Sequence, residues 1–263
     1  MESGFLLRDL TNAMSSLFKP ASEEIKRIAV QKTDVITQLE SLLVGQVNIY
    51  IDYANVRPWA SRLGWHIDLK RLKRFLNSFN NVRAVKFYYG ILKGDADSEK
   101  RIDETKHLGY EVRTKFVKII NISIDTSSID PQSPALLKNF IRAALLKKYD
   151  IETIEYLNGK FKEMNKQGVF AIQDQKCNFD VEIGSDMLVD KEKNGTECFV
   201  LWSGDSDFHD PVVDLLDSGK KVVLFATARV VSSELNELRS KGLFIFEIKK
   251  IKDFICWKRE ISP

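Results

Sequence analysis

The chain has 263 residues, 44% hydrophobic and 29% charged, a length that suits one large α/β domain with appendages and a core needing no staple. Forty basic residues against 37 acidic leave a net charge of +3, so any surface that attracts nucleic acid must be local. Cys177, Cys198 and Cys256 form no CxxC pair, and the apolar runs fall far short of the roughly 20 residues of a membrane span. Together these exclude disulfide-knot, zinc-ribbon and membrane-spanning classes, and they point to a reducing, cytoplasmic setting.

Residues 1–45 read as an N-terminal helical extension. Glu2, Arg8 and Asp9 interrupt its start, so no secretory leader is expected. Lys19-Pro20 marks a break. Ser22 can cap a helix, Glu23 and Glu24 suit its first turn, and Ile25, Ile28, Val35, Leu39 and Leu42 follow three-four spacing interrupted at Lys32. Such a stripe either packs on the main domain or pairs two copies into a homodimer. A repeat shorter than four heptads favours packing.

Residues 46–263 form the main domain. Strands are expected at Val47 to Ile51, Val82 to Tyr89, Tyr110 to Ile120, Glu197 to Trp202, Lys221 to Phe225 and Leu243 to Phe246. Helices are expected at Asp68 to Phe79, Ser98 to Leu108, Asp180 to Met187, Asp207 to Leu216 and Ser232 to Ser240. Short apolar strands alternating with helices mean βαβ units, a parallel sheet and right-handed crossovers. Residues 121–166 break the rhythm: a turn-rich piece, then helical patterns at Ala135 to Lys148 and Ile151 to Asn165. That is a helical insertion, of the kind that forms a lid or a protein-partner surface.

Ligands of a parallel sheet bind beyond the carboxyl ends of its strands. Asp52 and Asn55 follow the first strand, and Ser203-Gly204-Asp205-Ser206-Asp207-Phe208 follows the fourth. A third acidic group, Asp180 with Glu182, opens a helix on which Asp186 lies further along. Six helical positions turn through about 600°, so Asp180 and Asp186 do not share a face and Asp180 is the better ligand. Singly, each acid is more often a cap or turn residue than a ligand; Asp205 could simply cap the helix that follows. Convergent carboxylates repel unless a hard cation joins them, and oxygen-only ligands suit Mg2+ or Mn2+. Such a centre hydrolyses phosphate esters.

Three segments together carry a resemblance: Ile51-Asp52-Tyr53-Ala54-Asn55-Val56; Lys176-Cys177-Asn178-Phe179-Asp180-Val181-Glu182 with Asp186-Met187; and Ser203 to Phe208. The stretch Phe225 to Leu235 agrees as well. In this order they resemble the NYN branch of the PIN-like nuclease superfamily, close to the LabA-like proteins. The resemblance spans roughly residues 46–248. It implies a Rossmann-like parallel sheet flanked by helices and a Mg2+- or Mn2+-dependent ribonuclease. It makes Asp52, Asp180 and Asp205 the principal metal ligands and Asp207 a further ligand or water holder, while Asn55 orients Asp52 or touches the scissile phosphate. Cys177 stands where the family usually has glycine.

RNA, single-stranded or looped, is the expected partner. Between Ile67 and Lys93 seven basic residues face one acid, Lys241 to Arg259 holds six basic residues against two acids, and Asp174 to Glu192 holds six acids and two lysines. An acidic centre with basic flanks suits a phosphodiester bridged by metal. Equally, Lys70, Arg71, Lys73 and Arg74 read as the wet face of an amphipathic helix. Trp59 and Trp65 could stack on bases or sit in the core. His209 could touch a phosphate or lie on a helix surface. The alternative to an enzyme is a nucleic-acid-binding or scaffold protein keeping the fold with little catalysis. A phosphatase of the HAD type would need a second Asp where Ala54 stands.

Overall fold

The computed structural model describes residues 17–193, 195–227 and 230–257. Residues 1–16 of the expected extension, and Lys258 and Arg259 of the basic tail, lie outside them. Among the described residues eight strands follow in chain order: β1 (Val47–Asp52), β2 (Val82–Ile91), β3 (Glu111–Phe116), β4 (Lys118–Ser123), β5 (Ala171–Lys176), β6 (Cys198–Trp202), β7 (Lys221–Ala226) and β8 (Phe244–Glu247). The chain divides into two units, one of residues 1–116 with 178–263 and one of residues 117–177.

The larger unit holds a six-stranded, wholly parallel sheet in the order β3-β2-β1-β6-β7-β8. With helices between its strands this is a Rossmann-like α/β arrangement consistent with a PIN-like fold. The chain winds outward from β1 to β3, then returns to lay β6 along the other side of β1. That reversal is the switch point beyond which open α/β sheets bind ligands. β1, β6 and β7 are almost wholly buried, as central strands covered on both faces must be.

β1 is less apolar than its neighbours. Its alternate residues Asn48, Tyr50 and Asp52 face one side of the sheet, and all three are buried. Beside them on β2 stand Lys86, paired in register with Tyr50, and Tyr88, paired with Asp52. Arg113 on β3 is paired with Tyr88. This polar face is covered by the helix Asp180–Lys193.

The N-terminal helix starts at its cap: Ser22 Oγ accepts from the Ile25 amide at 3.3 Å. It breaks at Lys32, where the stripe is interrupted, into Glu23–Gln31 and Thr33–Leu42. Ile25, Val35, Leu39 and Leu42 are buried within this same chain. Glu24 pairs with Arg71 at 2.8 Å, and Glu40 accepts from the Phe18 amide at 2.9 Å. These four residues of the stripe thus pack on the main domain, the reading that the short repeat favoured over a homodimer.

The smaller unit pairs β4 with β5 antiparallel. The expected single strand over Tyr110 to Ile120 is thus two strands in two different sheets, and β5 was not foreseen. The expected helix over Ala135 to Lys148 is broken into the short turns Leu137–Asn139 and Ala143–Leu146, because Arg142 is extended (ψ 138°). The helix Ile151–Lys166 forms as expected, with Asp150 accepting from the Thr153 amide at its start. Leu137, Leu146 and Ile154 make a small core with Ile141, Leu157 and Phe161. No helix among the described residues is long and apolar enough to cross a membrane.

Candidate metal centre

Asp52 ends β1 and caps the turn Tyr53–Val56, its Oδ1 accepting from the Asn55 amide at 3.3 Å. Asp205 follows β6 and caps the short turn Ser206–Phe208, accepting from the Asp207 amide at 3.4 Å. Both are the caps that the plain structural reading foresaw, and both still aim a carboxylate at the carboxyl edge of the sheet. Ser203 joins them. Its hydroxyl donates to Asp52 Oδ2 at 3.3 Å and accepts from the Asp205 amide at 3.4 Å. Gly204 is required here: a Cβ would lie 2.1 Å from the Val230 carbonyl oxygen. Asp180 opens its helix after an Asx turn in which Asn178 Oδ1 accepts from the Asp180 amide at 2.9 Å.

Carboxylate oxygens of Asp180, Asp205 and Asp207 lie within 4.8 Å of one another. Asp52 is outside that trio but is electrostatically coupled to it. Burial pushes its carboxyl up to about 6, with the Asp205 charge adding to the shift and the Asn55 and Ser203 hydrogen bonds opposing it. Asp180 also rises to about 6. Burial is the main cause, Asp207, Asp205 and Asp52 add to it, and Asn178 opposes it. Asn55 acts on Asp52 through its backbone amide.

The rest of the helix Asp180–Lys193 plays another part. Glu182, Asp186 and Asp190 recur every four residues on one face and meet bases or phenols on the sheet. Lys115 pairs with Glu182 at 2.8 Å. Arg113 Nε lies 2.7 Å from Asp186, which also accepts from the Tyr88 hydroxyl. Asp190 accepts from Asn48 Nδ2 and Lys86 Nζ, each at 2.7 Å, and from the Tyr50 hydroxyl. These bonds pin the helix that carries Asp180. They also correct the acidic-centre reading, because three of the acids counted between Asp174 and Glu192 are neutralised against the sheet. Asp186 is held by Arg113 and Tyr88, on a different face from Asp180. Close packing seats the other side, where a Cβ on Gly184 would come within 3.2 Å of the Pro211 ring.

The expected basic flank is corrected too. Lys86 is a buried ion-pair partner, Arg71 pairs with Glu24, and Arg83 lies at the amino end of β2 beside Gln46. Leu72, Phe75 and Leu76 turn inward, so Lys70 and Arg74 are the wet face of the helix Leu69–Leu76. Trp59 and Trp65 are buried core residues. His209 pairs with its neighbour Asp210.

Do these residues suit a cation? Asp180 Oδ2 is buried and has no hydrogen-bond partner. Among the described residues no ion pair reaches Asp52, Asp180, Asp205 or Asp207. Unneutralised oxygen donors with a partnerless buried oxygen fit a hard divalent ion.

The NYN domain family matches residues 130–245. That match supports an NYN domain in this chain. The match takes in Asp180, Asp205 and Asp207, and Asp52 lies upstream of it. An NYN domain implies a nuclease-like fold, such domains are generally RNase-like hydrolases, and nucleases of this kind usually use divalent metals. No curated protein matches the chain. A protein of unknown function from Vibrio parahaemolyticus has a crystal structure that resembles it, at 17% identity over 80% of this chain and 96% of that one, with a TM-score of 0.47.

Proposed function

We propose that this NYN-domain protein, of the LabA-like kind, is a ribonuclease that hydrolyses phosphodiester bonds of single-stranded or looped RNA at a Mg2+ or Mn2+ centre. One observation carries the reading: three carboxylates gathered within 4.8 Å, with a buried Asp180 oxygen left partnerless. Asp180, Asp205 and Asp207 would hold the ion. Asp52 would share in it through water and accept a proton from the attacking water, a task suited to a carboxyl raised to about 6. A bound divalent ion supplies Lewis acidity at the phosphoryl oxygen and lowers the pKa of its water. Ser203 fixes Asp52 against the Asp205 loop, and the Asn55 amide keeps Asp52 aimed at the edge. Cys177, Cys198 and Cys256 form no disulfide, which supports a reducing, cytoplasmic setting.

The test is cleavage of a mixed RNA pool by purified protein with Mn2+ or Mg2+, beside Asp205→Asn. Cleavage that stops with EDTA and in the variant, while the variant keeps its fold, supports the reading. Cleavage that survives EDTA overturns it. Failure of the wild type to cut any RNA favours the binding-protein alternative.

A further inference from the structure

Tyr88 and Tyr89 are neighbours on β2 and point to opposite faces of the sheet. Tyr88 meets the helix Asp180–Lys193, whereas Tyr89 stands with Tyr53, their ring centroids 5.5 Å apart. Two guanidinium groups converge on the Tyr89 hydroxyl. Arg57 Nη1 donates to it at 3.2 Å and Arg101 Nη1 at 3.3 Å. Arg57 is exposed and Arg101 half-buried. Among the described residues neither takes part in an ion pair. Most other arginines and lysines near the sheet do: Lys86, Arg71, Arg113 and Lys115 each have a carboxylate.

Two like charges drawn to one neutral acceptor repel one another, and an anion between them would relieve this. A guanidinium is also the side chain best matched to a phosphate, through paired N–H donors. The place is informative. Tyr88 is the register partner of Asp52, so Tyr89 lies one residue beyond it on the adjacent strand, where strands are about 4.8 Å apart. Arg57 belongs to the chain that leaves Asp52, five positions on.

We propose that Arg57 and Arg101, held together by the Tyr89 hydroxyl, form a clamp for a backbone phosphate of single-stranded RNA, on the strand next to the one that ends at Asp52. The clamp rests on the nuclease reading for its ligand but not for its geometry. It would seat the phosphate next to the scissile one and contribute little where the backbone is free to leave. Lys70 and Arg74, on the helix Leu69–Leu76, serve as the comparison for mere loss of surface charge.

The test is fluorescence anisotropy with a labelled oligouridine in EDTA, across a salt series, so that binding is read without cleavage. Four proteins are compared: wild type, R57Q/R101Q, K70Q/R74Q and Asp205→Asn. The expected result is at least a tenfold loss of affinity in R57Q/R101Q, with the log–log salt slope flattened by about 0.7 for each lost phosphate contact. K70Q/R74Q should lose markedly less. All variants should keep the wild-type melting temperature within a few degrees, since none of the substituted residues is buried. Equal losses in both double variants would overturn the clamp, as would unchanged affinity in R57Q/R101Q or no oligouridine binding by wild type. Continued cleavage by Asp205→Asn with Mn2+ would instead sink the nuclease reading and leave the clamp to the anisotropy result.

Discussion

Asp190→Ala probes the contacts that pin the helix bearing Asp180. The Asp190 side chain is 2% exposed and that of its partner Lys86 10%, at 2.7 Å. Removing the carboxylate leaves a buried ammonium uncompensated, which costs about 3–5 kcal/mol. The Tyr50 hydroxyl loses its acceptor as well, whereas Asn48 Nδ2 keeps the Thr196 hydroxyl at 3.0 Å. For a chain of this length, that loss lowers the melting temperature by roughly 6–20 °C. Burial and the Asp190 carboxylate hold the Tyr50 phenol far above its usual range, so ionisation of Tyr50 does not complicate the measurement. Urea unfolding of the wild type, D190A and K86M/D190A measures the effect. The double variant removes the stranded charge and should recover most of the loss. A loss below about 1 kcal/mol in D190A, or a double variant no more stable than the single one, would refute the buried-charge argument.

The site should make the metal-free protein sensitive to pH. Asp52 and Asp180 sit near 6 when folded and near 3.8 otherwise, so between those values the folded state binds more protons. Their contribution to stability is therefore greatest in acid and is lost as pH rises toward about 6. Asp52→Asn should raise the melting temperature in EDTA at pH 7 and change it little at pH 4; a lower melting temperature at pH 7 counts against the desolvated-carboxylate account. Cation binding should expel those protons, so Mn2+ affinity by calorimetry should be weaker at pH 5.5 than at pH 7.5, and equal affinities would contradict it. Gly204→Ala drives a methyl toward the Val230 carbonyl at 2.1 Å. Overpacking of this kind costs about 1–3 kcal/mol. Because the strain falls on the Asp205 loop, Mn2+ affinity and cleavage should drop more than denaturant stability indicates, and full activity in this variant would show that the loop yields freely.

Much of the fold was legible because central parallel strands must be apolar and short: the runs ending at Asp52 and Trp202 announced β1 and β6, and carboxylates placed just beyond such runs announced the site. The helical turn angle separated Asp180 from Asp186 correctly. What was not legible depended on partners across the sheet. Lys86 looks like surface charge until Asp190, 104 residues away, is known to lie above it. The alternation Asn48-x-Tyr50-x-Asp52 and the four-residue spacing Glu182-Asp186-Asp190 were present as signals. Only together do they say that a polar helix face covers a polar strand. β5 was missed because its residues are largely polar and exposed, so no apolar run marks it, and β4 was merged with β3 because only Val117 separates the two stretches. Ser203 had no reading as a linker, since its two contacts come from Asp52 and the Asp205 amide.

The matched rungs beneath the helix Asp180–Lys193 have a bearing on how such a scaffold can change over generations. A swap at Asp190 is tolerable only alongside one at Lys86, and a swap at Asp186 only alongside Arg113 or Tyr88, so those positions should drift as couples. Asp180 answers to no base on the sheet. On the proposed reading it can be altered, and the chemistry silenced, while everything that shapes the molecule stays as it is.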